Sequence, residues 1–443
     1  MKRWINSRPD GDNATGNSDD ENRSAIIRAG ILIGLLFAAY FLLRPVRETM
    51  GVAGGVNNLQ WLFSATFAAT LVALPLFGWL ASRVPRRSIM PWVFGMSALH
   101  LAGFAAGLAL CANPVWVGRL FFVWLSVFNL LAVSLAWSVL TDVFPSAIAA
   151  RIFMSMTTYA SMGGLTGLAL GIFLVDGIGH VGLLILAALL LLASAHQAIY
   201  LHRWRRMQDG THSQNAHGAS EENIRGCRQS ETVDLELADF SDRPLGGSPF
   251  AGASAVFRSP YLRGIAFFVL LLASSNTFLY FEQMRLVAEY FPDPVRQTQV
   301  FALLDILVQT ATVAIHLFFA HHFSERIGIV GLLAITPLAV AIGFLLLALA
   351  PFFTVFVVVS VLRRVGEHTL VRPGRELLYT GVPNQDKYKA KSFIDTVVHR
   401  SGDALAGWAR TWLDQAAAQP ILFGGGLALA WAISGYWLGK RRL

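Results

Sequence analysis

Residues 58–87 read NLQWLFSATFAATLVALPLFGWLASRVPRR. From Asn58 to Ala81 no residue is charged, and the stretch then closes on Arg83, Arg86 and Arg87. A helix needs about twenty apolar residues to cross the hydrocarbon core of a bilayer. Arginines gathered at one end of such a helix mark its cytoplasmic side. This stretch therefore predicts a membrane-spanning helix that points its C-terminal end inward. Every backbone donor and acceptor must be satisfied within lipid, which leaves a helix for a run this long that does not alternate.

The same grammar recurs along the chain. Of 443 residues, 55% are hydrophobic and 14% are charged, against about a quarter charged in a soluble domain. The mean hydropathy is +0.53. Spans are predicted near 25–46, 58–81, 88–110, 115–140, 152–176 and 180–202, then near 261–290, 298–322, 327–350, 352–373, 390–413 and 420–439. Basic residues sit in alternate joins: Arg203, Arg205 and Arg206 follow span 6, Lys387, Lys389 and Lys391 precede span 11, and Lys440, Arg441 and Arg442 end the sequence. This alternation puts both termini in the cytoplasm. It also accounts for the formal charge of +8 without invoking nucleic acid. Residues 1–24 are polar and predicted to be a disordered cytoplasmic tail. Two six-helix bundles are expected over 25–203 and 259–443, joined by a cytoplasmic linker at 204–258 that is too polar to fold alone. Cys111 and Cys227 fall on opposite faces, so no disulfide framework is predicted. Gly163, Gly167 and Gly171 lie four apart in span 5, a face on which helix backbones can approach closely. Pro75 and Pro337 predict bends in spans 2 and 9.

A charge at bilayer depth costs at least about 2.5–3.5 kcal/mol, so one that persists faces a cavity or a partner. Arg44, Arg47 and Glu48 share a face at the end of span 1, provided the helix continues past Pro45. They read either as an anion-binding patch or as arginines snorkelling to the interface. Glu282, Arg285 and Glu289 share a face of span 7, either paired along the helix or facing a cavity. The run Ser274-Ser275-Asn276-Thr277 lies earlier in that span, as a polar path or as helix–helix glue. Asp305, in span 8, reads as an isolated carboxylate suited to proton coupling or as one with a hidden arginine partner. Arg363 and Arg364 lie deeper in span 10 than topology requires, and Asp395, Arg400 and Asp403 enter span 11. His316, His321 and His322 form no metal-ligand spacing.

Two resemblances add to this. Gly78-Trp79-Leu80-Ala81-Ser82-Arg83-Val84-Pro85-Arg86-Arg87 resembles the Gly-x-Leu-Ala-Asp-Arg-x-Gly-Arg-Arg signature of the major facilitator superfamily, with Ser82 in place of Asp and Pro85 in place of Gly. The join Ser324-Glu325-Arg326-Ile327-Gly328 repeats its outline in the second half. Leu43-Arg44-Pro45-Val46-Arg47-Glu48-Thr49, Arg375-Glu376-Leu377-Leu378-Tyr379, and Lys389-Ala390-Lys391 with Ile394-Asp395 resemble elements of helix 1 and of the segment before helix 11 in the ATP/ADP translocase family, closest to its relatives in free-living bacteria. That resemblance implies an antiporter exchanging nucleotides. It casts Arg47, Arg285 and Arg375 as anion contacts and Glu282 as a coupling or gating acid. The acid that the family places in helix 4 has no counterpart, since Arg119 is the only charge from Val115 to Leu140.

The expected protein is thus an all-α integral membrane transporter of the major facilitator type, with about twelve helices. Arg44, Arg47, Arg285 and Arg375 are the candidate substrate contacts, and Glu282, Asp305 and Asp395 the coupling or gating acids. The expected cargo is an anionic organic solute, nucleotide included. The rival readings are a proton-coupled carrier of another small organic solute and a non-transporting scaffold or sensor. No cofactor or metal is called for, a monomer is the default expectation, and no nucleophile motif or phosphate loop points to an enzyme.

Overall fold

A computed structural model describes residues 15–218 and 251–442, apart from 85, 112, 145 and 417. Among the described residues there is no strand. Helices α1 (Thr15–Ala53), α2 (Leu59–Arg83), α3 (Arg86–Leu110), α4 (Pro114–Val143) and α5 (Ser146–Gly218) form the first bundle. The short α6 (Ala251–Arg258) precedes α7 (Pro260–Tyr290), α8 (Pro294–Leu349), α9 (Phe353–Gly366), α10 (Arg372–Tyr379), α11 (Asn384–Phe393), α12 (His399–Gln415) and α13 (Pro420–Arg442). α5 breaks at Gly179 and α8 at Gly328, each with φ +63°, a left-handed backbone that glycine adopts without steric cost. π-helical turns at Glu367–Val371 and Ile394–Val398 fuse α9 to α10 and α11 to α12. Twelve long rods result, and they fall on the twelve predicted spans.

Helix starts follow a repeated local rule. Asn113-Pro114, Ser259-Pro260 and Asp293-Pro294 each place a capping side chain on a free backbone N–H and a proline at the first helical turn. Among the described residues, nine stretches are long and apolar enough to cross a membrane, one of them Ser155–Arg205, which holds two predicted spans around Gly179. The predicted spans 352–373 and 390–413 are not among them, because charges interrupt both.

Three expectations shift. Residues 15–24 are helical and continue into α1. The helix of span 6 runs on through 204–218, and 251–258 is helical. The predicted linker is therefore helical at both edges, while its middle, 219–250, lies outside the described residues together with Cys227. The side chains of Ser82, Arg86, Arg87, His316, His321, His322, Glu325 and Arg326 also lie outside them. The third shift concerns α1, which passes through Pro45 and ends only at Ala53. Arg44, Arg47 and Glu48 therefore sit roughly two turns inside the helix instead of at its tip.

Each bundle has its own apolar core, one drawn from residues between Ala25 and Trp204, the other from Val256 to Leu438. In the first, α1 and the opening arm of α5 run parallel in one register. A Cβ on Gly163 would stand 2.1 Å from the Gly34 carbonyl oxygen, and one on Gly167 2.2 Å from that of Ala38. The glycine spacing is thus a backbone-to-backbone seam.

The bundles meet through α2 with α12, α5 with α8, and α1 with α7 and α8. Much of this contact lies at the end of the molecule opposite the start of α1. There Leu59, Leu62 and Phe122 pack against Phe281, Met284, Val287 and Phe301, and the Trp61 and Trp408 rings meet edge to face at 4.8 Å. Polar ties join them: Thr49 to Thr298 at 2.7 Å, His180 to Thr298 at 2.9 Å, and Gln299 to Asp176 at 2.7 Å.

Candidate functional site

Midway along the rods, where the bundles face each other, α1 and α9 project arginines toward a common space. Arg44, Glu48, Leu279, Tyr280, Gln283, Phe301, Asp305, Ser360, Arg363 and Arg364 line a cavity with about 430 Å³ of empty volume. Helical spacing explains the grouping: Arg44 and Glu48 are four apart on α1, Ser360 and Arg364 four apart on α9, and Phe301 and Asp305 four apart on α8.

Asp305 is the centre of this arrangement. Its two oxygens are held from opposite bundles, Oδ2 by Arg44 of α1 at 3.3 Å and Oδ1 by Arg364 of α9 at 2.5 Å. The carboxylate is therefore not isolated, and the alternative of a hidden arginine partner describes its surroundings twice over. Glu48 is similarly divided, accepting from Arg47 on its own helix and from the Tyr280 hydroxyl of α7. Arg47 also donates to Ser126 Oγ at 3.2 Å and lies 4.9 Å from the Phe122 ring centroid. With 16% of its side chain exposed and bonded on three sides, it does not snorkel to an interface. Beside it, Arg363 reaches Glu367 at 3.0 Å and the Asn276 side-chain oxygen at 2.5 Å. The Nε groups of Arg47 and Arg363 are buried and find no protein acceptor.

Around this cavity and its immediate partners, Arg44, Arg47, Arg363 and Arg364 face Glu48, Asp305 and Glu367: four positive side chains against three negative. Apart from Arg44, whose side chain is 26% exposed, all are less than a fifth exposed. Charges this buried are stable only when paired, so the surplus guanidinium leaves the cluster suited to one more negative group.

A second, more open cavity lies toward the end where α1 begins. Leu130, Leu272, Glu367, Val371, Arg372, Arg375, Glu376, Asp395, Thr396, His399 and Arg400 line about 990 Å³ of empty volume. Both π turns contribute to its wall, through Glu367 and Val371 in one and Asp395 and Thr396 in the other. Such turns recur at functional sites, where an extra residue re-aims side chains. Arg375 pairs with Asp395 at 3.3 Å, and Lys391 with Glu376 at 2.6 Å. Glu367 borders this cavity and also holds Arg363, so it joins the two spaces.

Of the predicted site residues, the structure brings Arg44, Arg47 and Asp305 together at the centre, and Arg375 and Asp395 together in the open cavity. Glu282 and Arg285 join neither. Arg285 holds Glu282 at 2.5 Å and Glu289 at 3.2 Å along α7, and Arg410 of α12 approaches Glu282 at 3.6 Å. Of the two readings of this ladder, the pairing along the helix matches what is seen. Thr277, in the polar run before it, donates to Asp403 at 3.1 Å, while Asn276 donates to Glu367 at 3.4 Å.

The sequence reading did not single out Tyr280, Gln283, Ser360 or Glu367, and it placed no function on Arg363 and Arg364. One signal was available for the last group. Arg363, Arg364 and Glu367 interrupt a span that is otherwise apolar, with an acid four residues after an arginine.

A family profile described as Major Facilitator Superfamily matches residues 26–371. No curated protein matches the chain. Among solved structures, the nucleoside transporter NupG is 15% identical with a TM-score of 0.63, over 94% of this chain and 99% of that one. The xylose transporter XylE from E. coli, in an inward-open conformation, is 16% identical with a TM-score of 0.59, over 94% and 95%. A bacterial homologue of the lysosomal transporter Spinster, inward-facing and unoccupied, is 14% identical with a TM-score of 0.56, over 98% and 95%. At these identities the likeness is one of fold.

Proposed function

Since the chain belongs to the major facilitator superfamily, we propose that it is a secondary transporter whose central cavity carries an anionic organic solute by alternating access between the two bundles. One observation carries this reading: Arg44, Arg363 and Arg364, from α1 and α9, line a cavity between the bundles with Arg47 paired beside it, and the four outnumber their carboxylate partners. Arginine presents a rigid fork of donors matched to carboxylate or phosphate. An anion bridging Arg44 of one bundle and Arg364 of the other would couple its own binding to the relative position of the two.

Sidedness supports the same cycle. If the basic joins face the cytoplasm, as the positive-inside rule expects, the sealed end is external and the open cavity is the cytoplasmic vestibule. This conformation is then the inward-facing state of an inner-membrane carrier with cytoplasmic termini, built from bundles at 25–203 and 259–443.

Nucleotide exchange is the specific form that the resemblance of α1 and of the 375–395 region suggests, with Arg47 and Arg375 on the anion path. Two of the three acids considered for coupling hold two arginines each, Arg44 and Arg364 on Asp305 and Arg285 and Arg410 on Glu282, while Asp395 holds Arg375. A proton would have to displace these arginines, which favours exchange of anions over proton symport.

The test is uptake by the purified chain in proteoliposomes, using labelled organic anions, ADP and ATP against neutral sugars and nucleosides. Uptake of an anion that Arg44→Gln and Arg364→Gln each abolish, in protein that still folds, is the expected result. Transport confined to neutral solutes would sink the reading.

A further inference from the structure

The charge count of the site limits the cargo more narrowly than its sign. We infer that the transported anion is small, polar and carries one or two negative charges, and that Asp305 sets this limit. The inference rests on the anion reading above and deepens it.

Three observations lead there. The central cluster has a surplus of one positive charge, with Arg44, Arg47, Arg363 and Arg364 against Glu48, Asp305 and Glu367. With Glu367 counted at the centre, the groups in and around the open cavity leave a like surplus, Arg372, Arg375, Lys391 and Arg400 against Glu376, Asp395 and Asp403. A monoanion neutralises the centre. A dianion leaves one negative charge, which the adjoining surplus offsets. A nucleoside triphosphate would bring several more, and charge left uncompensated among groups this buried is costly.

The second observation is space and lining. The centre is the smaller of the two spaces, and eight of its ten lining residues are polar or charged, with only Leu279 and Phe301 apolar. Tyr280, Gln283 and Ser360 add neutral hydrogen-bonding groups beside the arginines. This suits a hydroxylated carboxylate or phosphate monoester, and flat surface for a nucleobase is confined to the rings of Phe301 and Tyr280.

The third is the position of Asp305. Its carboxylate already occupies Arg44 with one oxygen and Arg364 with the other, as a built-in counter-anion between the same two groups that would hold the cargo. It subtracts one charge from what those arginines can accept. Replacing it by Asn keeps its shape and raises the central surplus from one to two.

The experiment measures thermal stabilisation of the full-length protein in detergent by gluconate, lactate, malate, glycerol 3-phosphate, ADP and ATP, each titrated separately. A ligand that binds only the folded state raises the apparent melting temperature according to its concentration over its Kd. In the wild type, a mono- or dianion should act at a concentration at least about tenfold below ADP or ATP, a gap of about 1.4 kcal/mol. Gluconate against glycerol 3-phosphate distinguishes carboxylate from phosphate. Asp305→Asn should then shift the preference toward the more highly charged member of a pair, malate over lactate, by about tenfold. ADP or ATP binding more tightly than every small anion overturns the inference while leaving the anion reading intact. Stabilisation by neutral solutes alone overturns both. The wild-type panel decides the charge limit even if Asp305→Asn fails to fold, and an unchanged ranking in a folded Asp305→Asn protein removes Asp305 from it.

Discussion

Two arginine–carboxylate groups sit within a few residues of each other along α7. One is the central cluster, reached through Tyr280; the other is the ladder of Glu282, Arg285 and Glu289 with Arg410. In sequence they look alike, with charges at helical spacing inside apolar runs. In three dimensions they differ in two respects. The central cluster takes its members from α1 in one bundle and from α7, α8 and α9 in the other, and it borders the space between the bundles. The ladder joins α7 to α12 within one bundle, and its charges are matched by their own neighbours. A bound ion between two bodies can sense their movement, whereas a pair inside one body moves with it. The difference that bears on transport is thus which bodies the partners belong to, and whether donors remain for a ligand.

The substitution that tests this contrast most severely is Arg364→Gln. It removes one of the two arginines on Asp305 and leaves that carboxylate held by Arg44 alone. Truncating one partner of a buried charge pair costs about 2–5 kcal/mol, so substrate binding should weaken roughly thirtyfold or more. Transport in proteoliposomes reads this loss. Retention of near-wild-type uptake would move the site away from the centre.

Glu282→Gln should behave differently. It leaves Arg410, whose side chain is 8% exposed, with Asp414 as its remaining carboxylate at 3.0 Å. Stability should fall by about 1–3 kcal/mol, the usual cost of unpairing a buried polar group. The melting temperature should drop, while the apparent affinity of the protein that remains folded stays near wild type. A selective loss of affinity with unchanged melting would place Glu282 on the transport path after all.

How much of this could be read beforehand divides along the same line. The twelve spans were legible because apolar length and flanking charge are local properties. The Gly163–Gly167 seam was visible as a spacing. Its partners, Gly34 and Ala38, were not, since they lie some 129 residues away. Arg44, Arg47 and Asp305 stood out as charges in apolar surroundings. Their convergence, and the separation of Arg285 from them, depend on how α1, α8 and α9 pack. Of the two predicted spans broken by charges, 352–373 supplies Ser360, Arg363 and Arg364 to the central cavity and 390–413 supplies Asp395, Thr396, His399 and Arg400 to the open one. A weak membrane signal there was itself the mark of the site.

The sealed end adds an uncharged contact between the same bundles. Trp408 stacks edge to face on Trp61 and donates to Ser64 Oγ at 2.9 Å. Aromatic pairs of this kind contribute about 0.5–1.5 kcal/mol beyond buried area. Trp408→Ala should therefore raise the population open at that end several-fold, with little effect on folding. Labelling of Gln60→Cys in a background lacking Cys111 and Cys227 reports it, because Gln60 is buried against Gly407 at this interface. Unchanged labelling would mean that the apolar contacts of Leu59, Leu62 and Phe281 suffice for closure.

Arg285→Gln should have the smallest effect, and for that reason it isolates the comparison best. Arg285 contacts two acids on its own helix, its side chain is 44% exposed, and Glu289 is 61% exposed. Partly exposed pairs of this kind contribute about 0–1 kcal/mol, since solvent and salt screen them. Glu282 keeps Arg410 after the change, so no buried carboxylate is left unpartnered. Transport and melting temperature should both stay close to wild type. The resemblance to the nucleotide exchangers makes the opposite expectation, with Arg285 as a direct anion contact. A large loss of anion transport in a folded Arg285→Gln protein would favour that assignment and require the ladder to open toward the cavity in another state of the cycle. Near-normal transport would leave Arg44 and Arg364 as the arginines on which cargo binding turns.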